Sequence, residues 1–165
     1  MRKSRCVSAL ARYPPAVREL LALEPDPKLI SMARDKSPGT RPLNFLEASA
    51  EEIPLENGSV DTVISTWTMC SIPDIRRALE EMRRVLRPGG RLLFAEHGLS
   101  PEPGVRKWQN RLDPLWHRVS GGCHLNRPIE EVIGTAGFRM DHLETGYISG
   151  PKIMTFMYEG AARLQ

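Results

Sequence analysis

Apolar positions in this chain alternate between short unbroken runs and a stripe recurring every three or four residues, and the switches mark strands alternating with helices. Leu20–Leu23, Leu43–Glu47, Val60–Ser65 and Arg91–Glu96 are the runs that read as strands; the third is β-branched and follows the turn Asn57-Gly58. Ile75, Ala78, Leu79, Met82, Val85 and Leu86 carry the helical stripe over Asp74–Val85, and Pro88-Gly89-Gly90 stops it. Pro14-Pro15 opens a short helix through Val17 and Leu20. Asp26 caps a helix over Pro27–Asp35, because its carboxylate accepts the free first-turn amides and Pro27 fits the first helical position. A Pro/Gly hinge at Pro101–Gly104 leads into a long segment with Trp108, Leu112, Leu115 and Trp116, then a helix over Pro128–Ala136. Two closing strands, Arg139–Thr145 and Ile153–Tyr158, are expected as an antiparallel edge hairpin. The alternation predicts the α/β class, a doubly wound and mostly parallel sheet.

Composition narrows this picture. With 165 residues, 41% of them hydrophobic, the chain suits one domain over 1–165. A net charge of +3, with Arg76, Arg77, Arg83 and Arg84 interleaved by Glu80 and Glu81, describes a solvated helix face and excludes a nucleic-acid footprint. Cys6, Cys70 and Cys123 are odd in number and unpaired in spacing, which points to reduced thiols and a cytoplasmic protein. No apolar run approaches the ~20 residues of a bilayer span, so no integral membrane segment is expected. The opening MRKSRCVSALAR is basic and acid-free like a transit peptide, lacks a secretory apolar core, and reads as an atypical segment over 1–12.

Candidate chemistry gathers at the carboxyl ends of the strands, where ligands bind in open α/β sheets. Glu24 stands there as an acceptor for both hydroxyls of a ribose, or as a plain surface acid. Ser49 and Ala50, in Ala48-Ser49-Ala50-Glu51-Glu52, either face an adenine edge or begin a helix, since Ser49 and Glu52 have capping-box spacing. Thr66 and Trp67, in Ser65-Thr66-Trp67-Thr68-Met69-Cys70, either wall off a flat ring or join the core. His97, in Glu96-His97-Gly98, is a general base or a structural histidine. His117, Cys123 and His124 offer a metal-like grouping without a fourth matching ligand, so no metal is expected.

Taken in order, an acid after one strand, Ala-Ser-Ala-Glu-x-x-Pro, Asn-Gly-Ser-Val-Asp and Leu-Arg-Pro-Gly-Gly-Arg-Leu-Leu resemble the class I S-adenosylmethionine-dependent methyltransferases. The likeness runs from about Tyr13 to the C-terminus. Within that superfamily the chain is similar to the small-molecule branch, including the ubiquinone/menaquinone-type enzymes. Asp113-Pro114-Leu115-Trp116-His117 and Gly122-Cys123-His124-Leu125-Asn126-Arg127 are similar to the methyltransferase-like thiol methyltransferases. The resemblance implies S-adenosylmethionine as cofactor, with Glu24 on the ribose, Ser49 and Ala50 beside adenine, and Thr66 and Trp67 along the methionine. It places Trp116, Cys123, His124 and Asn126 in an insertion, 99–127, that covers a small-molecule acceptor, with His97 or His124 taking a proton. A thiol acceptor arriving ionised would need no base.

One feature departs from the family. Its pattern sets a central first strand and Gly-x-Gly-x-Gly before Tyr13, yet the first glycine here is Gly39 and the offset falls on Lys3, Arg5 and Val7. In the order 3-2-1-4-5-7-6 that loss leaves a gap of about 10 Å beside the strands ending at Glu24 and Ser65. Three readings follow: Arg5–Leu10 as a substitute strand, a strand from a partner or a second copy, or a truncated or frame-disturbed form of a longer enzyme, which is favoured. Impaired catalysis is therefore expected, with a non-catalytic, partner-dependent interaction module as the alternative. A nicotinamide-dependent oxidoreductase shares the ribose acid but not the Pro-Gly-Gly turn.

Overall fold

Leu20–Leu23 (β1) and Leu43–Leu46 (β2) pair in parallel, Leu20 opposite Leu43 and Leu23 opposite Leu46. Parallel neighbours need a crossover, and helix α1, Pro27–Arg34, lies between them in sequence. Asp26 caps it as expected, its carboxylate accepting from Lys28 N at 2.8 Å with Pro27 opening the first turn. The computed structural model describes residues 16–35 and 43–165; the expected segment 1–12 and the Pro14-Pro15 helix start lie outside these. Residues 17–19 carry no helix and Leu20 already belongs to β1, because its backbone is taken by the ladder with β2. No helix follows Ser49 either: its hydroxyl accepts from Glu51 N and its carbonyl from Glu52 N, a local turn that replaces the capping box.

The chain divides into two compact units, Met1–Pro54 and Leu55–Gln165. In the second unit, β3 (Val60–Thr66) pairs in parallel with β4 (Leu86–His97). The register jumps from Val60 opposite Leu86 to Thr62 opposite Arg91, so Arg87 to Gly90 loop out, with Gly89 in the left-handed region at φ 81°. Helix α2, Ile75–Val85, connects them, capped by the Asp74 carboxylate at 3.1 Å from Arg77 N. It buries Ala78, Leu79, Met82 and Val85, the predicted stripe.

Beyond β4 the segment read as a hinge begins helix α3, Pro103–Val119. Proline fixes φ at a helical value and needs no donor in the first turn, so Pro103 starts a helix there. Helix α4, Ile129–Thr135, leads to β5, Phe138–Tyr147. Ile153 belongs to the short helix α5, Lys152–Thr155, where Thr155 Oγ1 bonds Pro151 O; β6 starts only at Phe156 and runs to Leu164. Strand order is β3-β4-β6-β5, with β6 antiparallel to both neighbours, which gives the expected edge hairpin. Among the described residues the strands form two sheets; β1-β2 and β3-β4 pair in parallel and the antiparallel pairings are those of β6, as the expected α/β fold with an antiparallel edge hairpin requires.

The end of β4 is held tightly. A Cβ on Gly98 would lie 2.5 Å from Arg127 O and 2.8 Å from Ile129 Cγ1. Gly98→Ala is therefore expected to lower stability by about 1–3 kcal/mol, measured as a fall in the urea midpoint at unchanged slope.

Candidate active site

Glu96 organises the carboxyl ends of β3 and β4. It is wholly buried, and its carboxylate accepts from Ser65 Oγ at 2.7 Å, Thr68 N at 2.9 Å and Met69 N at 3.2 Å. Burial pushes its pKa up from the ordinary carboxylate value, and these donors pull it back. Because one carboxylate gathers both amides, the chain between them and β3 turns sharply. Trp67 takes φ 54°, the sole non-glycine positive φ among the described residues. It is also 40% exposed, which removes the core reading, and its ring lies 5.4 Å from that of His97.

His97, the last residue of β4, is buried. Its Nε2 lies 3.2 Å from Cys123 Sγ, and its buried Nδ1 has no hydrogen-bond partner among the described residues. Cys70, at the end of the loop that Glu96 holds, completes the group: one ligand-type atom from each of Cys70, His97 and Cys123 lies within 4.8 Å of the others. The hydrogen bond between the two thiols raises Cys70 and lowers Cys123; burial raises Cys70 further, while His97 lowers Cys123. Cys123 is thus the more acidic of the two thiols.

The backbone fixes this arrangement. His124 N donates to Cys70 O at 2.8 Å, and the buried Arg127 guanidinium donates to Met69 O and Ile72 O, both at 2.8 Å. Desolvation lowers Arg127's pKa. Gln109, fully buried on α3, accepts from Ser100 N and donates to Gly98 O and Leu125 O, tying the helix to the end of β4.

His124 sits differently. Its Nδ1 lies 2.9 Å from Asp113 Oδ2, while Asp113 Oδ1 accepts from Leu125 N at 2.7 Å, so the carboxylate is itself anchored. The His124 ring stacks on His117 at 4.3 Å between centroids. Trp116 and Asn126 are half-buried, and Asn126 donates to Asn110 Oδ1 at 3.0 Å.

Of the residues expected in a site, Thr66, Trp67, His97, Trp116, Cys123, His124 and Asn126 lie in the second unit, and Glu24, Ser49 and Ala50 in the first. Glu24 follows β1, donates its own N–H to Leu46 O at 3.0 Å, and offers Oε1 to Asp26 N. Sequence reasoning missed Cys70, Asp113, Gln109 and Arg127. Asp113 stood in a run already singled out, and an acid eleven positions before His124 is the signal that was passed over. The ligand-type grouping is also different from the one weighed: His97 and Cys70 join Cys123, while His117 and His124 stack on each other.

Comparison with known proteins bears on these groups. Residues 3–94 match the family model described as "Methyltransferase domain". That match begins ahead of Tyr13 and takes in most of segment 1–12, where the lack of glycines had hidden the likeness. The chain is 34% identical over 137 residues to thiol S-methyltransferase TMT1B of Rattus norvegicus, covering 80% of this chain and 56% of that protein. It is 31% identical over 160 residues to malonyl-[acyl-carrier protein] O-methyltransferase of Methylococcus capsulatus, covering 91% and 54%. The chain therefore spans about half the length of these curated relatives. Its fold is similar to that of a SAM-dependent methyltransferase from Methanosarcina mazei, with a TM-score of 0.69 at 18% identity, covering 88% of this chain and 82% of that one. By its family match and these relatives, the chain belongs to the class I S-adenosylmethionine-dependent methyltransferases.

Proposed function

We propose that this chain transfers a methyl group from S-adenosylmethionine to a small-molecule acceptor, and that the acceptor is a thiol. The observation that carries the reading is the His124–Asp113 pair beside a second histidine and two buried thiols. Its similarity to a thiol S-methyltransferase supports the choice of acceptor. Glu24 holds the ribose hydroxyls, Ser49 and Ala50 border adenine, and Thr66 and Trp67 line the methionine side. Trp116, Cys123 and Asn126, within 99–127, face the acceptor. The whole chain, 1–165, works as one domain in a reducing, cytoplasmic setting. Among the described residues no helix is long and apolar enough to cross a membrane. The protein works as a homo-oligomer or with a strand-donating partner.

The sulfonium of the cofactor supplies an already activated methyl group, so the protein's work is to align the acceptor and exclude water. Between the two expected bases, His124 suits the role better than His97. Asp113 holds the proton on Nδ1, which leaves Nε2 free to accept one, whereas His97 Nε2 faces Cys123.

Glu24→Ala removes a charged acceptor from two ribose hydroxyls, worth about 2 kcal/mol or roughly a 30-fold loss of cofactor affinity. Incubation with radiolabelled cofactor and a panel of small thiols and phenols tests the acceptor class. Label transferred to thiols, at a rate reduced in the variant under limiting cofactor, is the expected result; transfer to phenols alone would refute the thiol assignment.

A further inference from the structure

We propose that Cys70, His97 and Cys123 bind a thiophilic divalent cation, zinc by its chemistry, and leave one coordination position open to the acceptor thiol. Three donors reach this point from three separate elements: the loop after β3, the last residue of β4, and the segment after α3. Their ligand-type atoms all lie within 4.8 Å of one another, with His97 Nε2 and Cys123 Sγ at 3.2 Å. Tetrahedral zinc with Zn–S near 2.3 Å and Zn–N near 2.0 Å sets ligand atoms about 3.5–3.8 Å apart. Closing the group on an ion thus takes about 1 Å at most, a rotamer adjustment.

The donor set selects the ion. Two sulfurs and an imidazole are soft ligands that favour zinc over the oxygen-seeking magnesium and calcium. The number selects the role, since structural zinc sites close with four protein ligands while catalytic ones use three and keep a position open. Among the described residues the group has three members. The cradle is preformed: Glu96 holds the amides of Thr68 and Met69, Arg127 holds the carbonyls of Met69 and Ile72, and His124 N holds Cys70 O. Exposed Trp67 stands beside His97, the ring centroids 5.4 Å apart.

This inference rests on the thiol reading for its role, though not for the site itself. An incoming R–SH gives its proton to His124, and its sulfur pair binds the cation as thiolate. In the transfer that sulfur forms a bond to the methyl carbon while the sulfonium S–CH3 bond breaks, its electron pair returning to the cofactor sulfur. The neutral thioether is a weaker ligand and leaves.

The test is titration of the reduced, metal-stripped full chain with cobalt(II), followed by absorption, and competition with zinc. A single equivalent with a sulfur-to-cobalt charge-transfer band is expected, weakened in Cys123→Ser and in Cys70→Ser, lost when both are replaced, and kept in the exposed variant His142→Ala. Zinc affinity should fall on the order of 100-fold in either cysteine variant. Near-UV circular dichroism checks that each variant is folded. A folded wild-type chain that gives no such band, or a band that survives both substitutions, overturns the site, as does a Cys70–Cys123 disulfide whose reduced form takes up no metal. A cobalt band without thiol methylation would sink the thiol reading and keep the site. Thiol methylation unchanged by stripping the metal would overturn the role given to the cation.

Discussion

Glu96→Ala is expected to destabilise the fold by about 3–5 kcal/mol and to unpin the loop that carries Trp67 and Cys70. The wild-type carboxylate is fully buried and satisfies two backbone amides and the Ser65 hydroxyl. Truncation leaves those donors in a dry cavity with no acceptor, and the positive φ of Trp67 loses the contacts that enforce it. Glu96→Gln separates geometry from charge. Its amide oxygen still accepts from Thr68 and Met69, and its NH2 meets Ser65 Oγ, whose hydroxyl rotates to accept. The expected cost is about 1 kcal/mol. Chemical denaturation of both variants checks the pair; equal losses would show that the loop depends on charge and not on acceptor geometry.

His124→Ala is expected to lower kcat for thiol methylation about 100-fold, within the usual range for removing a positioned base, with little change in the KM for cofactor. Asp113→Asn tests how the ring is held. Asparagine still accepts from Leu125 N, but turns an NH2 toward His124 Nδ1. That forces the proton to Nε2 and removes the base while leaving the loop in place. Steady-state kinetics should show both variants losing kcat together, with a shallower dependence of rate on the acceptor's own pKa in the wild type. A His124→Ala enzyme at full rate would show that His124 moves no proton in the reaction.

Most strands and helices of the second unit were legible because local signals agreed with the fold: the stripe of α2, the β-branched run of β3, the turn at Asn57-Gly58. Failures came where local and tertiary signals compete. Ile153 has strand character, yet Pro151 and the Thr155 hydroxyl make a helical turn that delays β6 to Phe156. The glycine and prolines at 101–104 read as a break, and they begin a helix because proline suits a first turn. The strand-end placement of candidate residues was legible, and their hydrogen-bond partners were not. Strand ends marked Glu24, Trp67 and His97, since chain order and alternation place them there. Cys70, His97 and Cys123 share no spacing that a sequence could display; long-range hydrogen bonds from Glu96 and Arg127 bring the Cys70 loop to the end of β4. Asp113 was obscured because it precedes Pro114 inside a helix, a position that reads as a break.

Everything proposed for this chain requires that it hold the adenosyl cofactor, with Glu24 as the proposed ribose anchor. Calorimetric titration of the purified chain with S-adenosylhomocysteine tests it most directly. Saturable binding near one equivalent, weakened about 30-fold by Glu24→Ala, is the predicted result. A folded chain that releases no heat and shows no saturation across millimolar ligand would contradict it, and methyltransferase would then describe its ancestry alone.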